Sequence, residues 1–117
     1  MDYYQAFHYC KSIDVDLYEP STQYKQAIIT GLAIDLNLWG LYWVGGTDEK
    51  SEGDWVWESN GYANYFTDWA YYQPDGGSNE NCLALDPQMA FKWNDKNCQV
   101  LAQPICFFAS NWTMKGY

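Results

Sequence analysis

Apolar residues recur at helical spacing in the first third of the chain and give way to short strand-like runs after Gly40. From Tyr3 to Ser12, the residues Tyr4, Phe7, His8 and Lys11 follow at steps of three and four, with Ala6 and Cys10 close to the same face. That spacing predicts a helix. Pro20-Ser21-Thr22 supplies a break and an N-cap before a second predicted helix, over 23–36, in which Tyr24, Ile28, Leu32 and Leu36 recur every four residues. Leu41-Tyr42-Trp43-Val44 and Trp55-Val56-Trp57 then read as strands rich in β-branched and aromatic residues, with Asn60-Gly61 as a turn. Residues 70–81 carry Pro74, Gly76 and Gly77 among polar neighbours and predict a loop, and 82–85, 91–93 and 105–108 are short strand candidates. Helices followed by strands, with no repeat and no linker, indicate one α+β domain over 1–117, its last residues 109–117 being a frayed tail.

Composition narrows the partners. Six Lys and Arg against 15 Asp and Glu give a net charge of −9, which excludes a phosphate backbone as ligand and favours a cation. No apolar run approaches the roughly 20 residues that span a bilayer, so no membrane insertion is expected. Four cysteines without a Cys-x-x-Cys, and a single histidine, His8, read as two disulfides rather than a zinc site. Three pairings are open. Each bridge would contribute about 3 to 5 kcal/mol and places the protein in an oxidising, extracellular compartment. Met1-Asp2-Tyr3-Tyr4 has neither the basic start nor the apolar stretch of a signal peptide, so Met1 is not read as the native start of a secreted chain. Asn111-Trp112-Thr113 is a glycosylation sequon compatible with secretion.

The candidate chemistry lies between 73 and 98. Gln73-Pro74-Asp75, Glu80 two places before Cys82, and Trp93-Asn94-Asp95 before Cys98 gather five oxygen-bearing side chains, three of them carboxylates. Calcium takes six to eight oxygens on a flexible frame. Gln73 and Asn94 offer amide oxygens, Asp75, Glu80 and Asp95 offer carboxylates, and the Asp95 carbonyl would add a sixth. Two coordination places would remain for outside hydroxyls. The plainer reading of each residue alone is an acidic, polar loop. Paired carboxylates such as Asp75 and Glu80 also occur in glycosidases, but these are already committed to an ion, and with four paired cysteines and one histidine no nucleophile–base constellation is available. The chain is therefore not read as an enzyme, and His8 has no assigned duty.

Taken in order, these features resemble the C-type lectin-like domain: a helix with Cys10, a second helix, Tyr42-Trp43-Val44-Gly45-Gly46, the Gln-Pro-Asp loop, Glu-x-Cys, Trp-Asn-Asp and a final Ile-Cys-Phe. The resemblance implies two helices flanking small antiparallel sheets, a long calcium-binding loop region, and nested disulfides Cys10–Cys106 and Cys82–Cys98. It implies Ca²⁺ at Gln73, Asp75, Glu80, Asn94 and Asp95, with sugar hydroxyls bound at the ion by the same residues, and a cis bond before Pro74. Gln-Pro-Asp is similar to the galactose-type signature, as opposed to Glu-Pro-Asn for mannose, and points to glycans ending in galactose or N-acetylgalactosamine. The following loop is shorter than usual and lacks a sugar-stacking Trp, leaving Tyr71, Tyr72 or Phe91 for that contact. Asp48 and Glu52, with Glu80 shared, correspond to an auxiliary calcium site that is weak or empty because Gly76 and Asn81 replace acids. Trp43, Trp55, Trp57, Trp69 and Trp93 are expected in the core. The alternative on the same fold is a protein-binding or structural module that does not use sugar. Relatives also carry a strand before the first helix; its absence here would leave an edge for a homodimer or another multivalent assembly.

Overall fold

A computed structural model describes residues 1–38, 40–71, 73–75 and 79–107. Tyr72, Gly76 and the tail with its sequon lie outside the described residues, as does the last position of the predicted 105–108 strand. The first helix, α1 (Tyr3–Ser12), begins at Asp2, whose carboxylate accepts from Gln5 N–H while the Gln5 side chain accepts from Asp2 N–H. This reciprocal cap satisfies two backbone donors that a helix start leaves open. A short strand β1 (Asp16–Leu17) follows, and then α2 (Gln23–Asp35), capped by Thr22. The strands β2 (Tyr42–Thr47), β3 (Val56–Trp57), β4 (Cys82–Asp86), β5 (Lys92–Lys96), β6 (Gln103–Pro104) and β7 (Cys106–Phe107) complete the order.

The strands form two sheets. In the larger one β3, β2, β4 and β5 are antiparallel neighbours and β6 joins β2 as a parallel pair; β1 and β7 form a small antiparallel ribbon. Because side chains alternate across a strand, the larger sheet divides two cores. Val44, Leu83, Leu85 and Trp93 face one with Tyr18, Ile29, Trp55, Trp57 and Phe91, whereas Trp43, Cys82 and Ala84 face the other with Tyr3, Ala6, Cys10 and Leu17. Gly45 and Gly46 allow the close approach at the centre: a Cβ on Gly46 would stand 2.7 Å from Leu83 Cδ2, and one on Gly45 would stand 2.9 Å from Glu19 Cγ. The disulfides are Cys10–Cys106 and Cys82–Cys98, the nested pairing.

Both helices exist where the spacing predicts them, but neither buries the stripe that predicts it. On α1 the inward residues are Tyr3, Ala6 and Cys10, while Tyr4, His8 and Lys11 are exposed. On α2 they are Gln26, Ile29 and Ala33, and Tyr24, Leu32 and Leu36 are outside. These faces turn inward because α1 is tied down through Cys10, and α2 through Gln26. That glutamine is 5% exposed; its Oε1 accepts the Trp93 indole N–H at 2.9 Å and its Nε2 donates to the Phe91 carbonyl at 3.0 Å. A polar residue thus docks α2 onto the start of β5. The strand predicted over 91–93 runs instead from Lys92 to Lys96, because Phe91 adopts a positive φ of 60° and ends the preceding turn.

Replacing Gln26 by leucine would strand the indole N–H and the Phe91 carbonyl in the core. Each buried group left unpaired costs about 1 to 3 kcal/mol, so Gln26→Leu is expected to lower unfolding free energy by about 2 to 6 kcal/mol in a denaturant titration. A change within error would show that Gln26 is not the anchor.

Candidate metal centre

Trp93 fixes the floor of the site. It is fully buried and meets Trp57, Phe66 and Trp69 edge-on, with ring centroids 5.5, 5.9 and 5.5 Å away. Its carbonyl accepts Ala70 N–H at 2.8 Å, which brings the 69–75 segment alongside β5. The Gln73 N–H then donates to the Ala70 carbonyl at 2.9 Å, and the Gln73–Pro74 peptide is cis, as the resemblance implies. The Asp75 N–H in turn donates to Asp95 Oδ1 at 3.1 Å.

All five sequence-predicted residues come together through this arrangement. Carboxylate oxygens of Asp75, Glu80 and Asp95 lie within 4.8 Å of one another, Asp75 exposed, Glu80 half-buried and Asp95 only 1% exposed. The end of the Gln73 side chain reaches 2.6 Å from Asp95 Oδ1, 2.9 Å from Asn94 Oδ1 and 3.0 Å from Asp75 Oδ1. With its NH₂ turned inward, Gln73 donates to this group; with its carbonyl turned inward, four oxygens converge. The second arrangement sets acceptors against one another and needs a cation, or a proton on one of the carboxylates, to hold it; without either, the NH₂ faces inward. Asn94 is oriented from behind, its Nδ2 donating to Asp86 Oδ2 at 3.2 Å.

Burial raises the Glu80 pKa above its ordinary value, and the Asp95 and Asp75 charges raise it further, with Lys96 partly offsetting them. A second pair stands nearby. Asp48 is 2% exposed; its Oδ2 accepts Gly53 N–H at 2.9 Å, and its buried Oδ1 has no hydrogen-bond partner among the described residues. Glu52, beside it, is raised by lost solvation, then by Asp48, then by Asp95. The structure therefore joins Asp48 with Glu52 and places Glu80 with Asp75, while Asp95 acts on both pairs. Among the described residues one other trio, Glu49 with Cys82 and Cys98, offers no thiolate because those cysteines form a disulfide.

Of the proposed stacking residues, Phe91 is 7% exposed and packed in the core, so it presents no ring to a ligand; Tyr71 is 77% exposed. The expected core tryptophans are buried or, for Trp69, half-buried against the core. Sequence reasoning missed Gln26 and Asp86. The first was recoverable from the spacing of 26, 29 and 33, which shares a helical face, and the second from Asp86-Pro87, an N-cap followed by proline at N1 of a short 3-10 helix.

Comparison with known proteins agrees with this architecture. The chain matches the Lectin C-type domain over residues 1–108. It is 36% identical over 104 residues to perlucin of Haliotis laevigata, covering 87% of this chain and 66% of perlucin. It is also 36% identical over 69 residues to the alpha-N-acetylgalactosamine-specific lectin of Patiria pectinifera, covering 57% of this chain and 40% of that protein. The chain thus spans less than two thirds of the curated relatives' length. Among solved structures, the mouse scavenger receptor C-type lectin carbohydrate-recognition domain superposes with a TM-score of 0.80 at 26% identity, over 90% of this chain and 78% of that one. A Ca²⁺-dependent type II antifreeze protein in its Ca²⁺-free form gives a TM-score of 0.78 at 25% identity, over 91% and 82%. With this match over nearly its whole length, the chain belongs to the C-type lectin domain family.

Proposed function

We propose that this domain is an extracellular calcium-dependent lectin that binds glycans ending in galactose or N-acetylgalactosamine. The gathering of the Asp75, Glu80 and Asp95 carboxylates within 4.8 Å of one another, with the Gln73 amide against Asp75, Asn94 and Asp95, carries the reading. Hard oxygen donors with several carboxylates suit Ca²⁺, and the set lacks the nitrogen and sulfur ligands that zinc favours. Gln73, Asp75, Glu80, Asn94 and Asp95 would hold the ion, whose chemistry is to bind two vicinal sugar hydroxyls directly. The carboxylates would accept hydrogen bonds from those hydroxyls' O–H groups, and the amides would donate to their oxygens. Two disulfides and an acidic surface support an extracellular setting. The name of the Patiria lectin and the order Gln73-Pro74-Asp75 support a galactose-type ligand. One site of this open kind binds weakly, so affinity for a surface would come from presenting several domains together, as in a homodimer. Asp48 and Glu52, with Glu80 shared, would make at most a weak auxiliary cation site, and the Asp95 charge also acts on Glu52.

On a galactose resin in calcium the protein is expected to bind and to leave with EDTA or free galactose. A protein that ignores both belongs instead with the non-sugar modules of this fold. Asp75→Ala should abolish calcium binding by calorimetry and resin binding together, leaving the circular dichroism spectrum unchanged; retained sugar binding would remove the site assignment.

Exchanging the acid and amide, with Gln73→Glu and Asp75→Asn combined, is expected to move preference on a glycan array towards mannose. An unchanged profile would refute the galactose assignment.

The raised Glu80 and Glu52 give a pH test. Between the ordinary glutamate value and their raised folded values, the folded protein holds more protons than the unfolded chain, so stability falls as pH rises through that window. Metal-stripped protein should therefore melt higher as pH is lowered from neutral into that window. Calcium-loaded protein should show the opposite slope, since protons compete for its ligands. Parallel slopes in the two series would contradict a cation between these carboxylates.

A further inference from the structure

We propose that Asp86 is a positioning residue for the ion site, fixing which end of the Asn94 amide faces Gln73; this rests on the calcium reading above. Asp86 ends β4 and uses three acceptor atoms at once. Oδ1 accepts Gln88 N–H at 3.0 Å, Oδ2 accepts Asn94 Nδ2 at 3.2 Å, and the carbonyl accepts Phe91 N–H at 2.8 Å. The residue is thereby locked to the strand, to the short helix Pro87–Met89 and to the turn before β5.

An asparagine amide has almost the same shape with its oxygen and nitrogen exchanged, so its partners decide its orientation. A carboxylate only accepts. Facing Asp86, Asn94 must present its NH₂, and its Oδ1 is thereby directed to the Gln73 side chain 2.9 Å away. Exchanged, the amide would set oxygen against the Asp86 carboxylate and NH₂ within the group of Asp75 and Asp95 oxygens. That orientation repels a cation. Asn94 is 4% exposed, so water does not readily substitute for the lost partner. Asp86 also contributes a negative charge behind the amide, which strengthens the oxygen as a ligand.

Capping and clamping are separable. Serine at an N-cap still accepts from the helix start but is too short to reach Asn94, and asparagine has one oxygen where two are used. The test uses ¹⁵N-labelled whole chain without metal, and calcium titration by calorimetry, for the wild type, Asp86→Ser and Asp86→Asn. In wild type the Asn94 side-chain NH₂ should show a hydrogen-bonded, slowly exchanging proton. That signature should vanish in Asp86→Ser and calcium affinity should fall about ten-fold or more, in protein that still folds by circular dichroism and melts only a few degrees lower without metal. Asp86→Asn should weaken calcium as well. Absence of the signature in metal-free wild type, or calcium affinity unchanged in both variants, would overturn the proposal. Failure of wild type to bind calcium at all would instead end the ion reading, and the Asn94 signature would still decide the clamp.

Discussion

The indole N–H of Trp93, held by the buried Gln26 carbonyl, is the interaction on which the rest of the site depends. It sits one residue before Asn94 and two before Asp95, at the junction of α2, the sheet and the 69–75 segment. Three edge-on aromatic contacts leave the ring no alternative rotamer, so its backbone is fixed as well. From that fixed backbone one hydrogen bond reaches Ala70, a second passes from Ala70 to Gln73, and a third links Asp75 to Asp95. The proposed ligands, from two stretches of chain, are thus set by a rigid core rather than by their own loop.

The disulfides act at the ends of this frame. Cys82–Cys98 ties the start of β4 to the turn after β5, closing the hairpin that carries Asp86, Asn94 and Asp95. Cys10–Cys106 holds α1 to the small ribbon, and Met1 is held by Ala102 through bonds in both directions. Little of this reaches the acidic residues directly. The scaffold can therefore tolerate carboxylates that repel one another, because its stability is drawn from two cores on either face of the sheet.

The order of elements and the gathering of Gln73, Asp75, Glu80, Asn94 and Asp95 were legible in the sequence because they depend on local features: caps, turn residues, cysteine spacing and the Gln-Pro-Asp and Trp-Asn-Asp triplets. Helix faces were not. Periodicity finds a helix wherever apolar residues repeat, yet which repeat is buried depends on partners far along the chain, as with Gln26 and Trp93 or Cys10 and Cys106. The strand Asp16–Leu17 is too short to carry an alternation and exists only because Cys106–Phe107 pairs with it. Phe91 looked like a strand residue free to meet a ligand; its positive φ turns it into the core instead. Asp48 with Glu52, and Glu80 with Asp75, were expected together; what spacing left undetermined is that the buried Asp95 charge acts on both Glu52 and Glu80.

Asp95 has the most consequential place among the acids. Nearly all of it is buried, and its charge raises Glu80 on one side and Glu52 on the other. A cation that neutralises Asp95 therefore lowers the repulsion felt by both pairs, including the one it does not touch. Such coupling is reciprocal and has a sign: a cation held by the Asp48–Glu52 pair would screen part of the Asp95 charge and repel a second ion at Gln73, Asp75 and Glu80, so each loading would weaken the other. The acids that look like two separate clusters along the chain are, in electrostatic terms, one site with a shared buried charge.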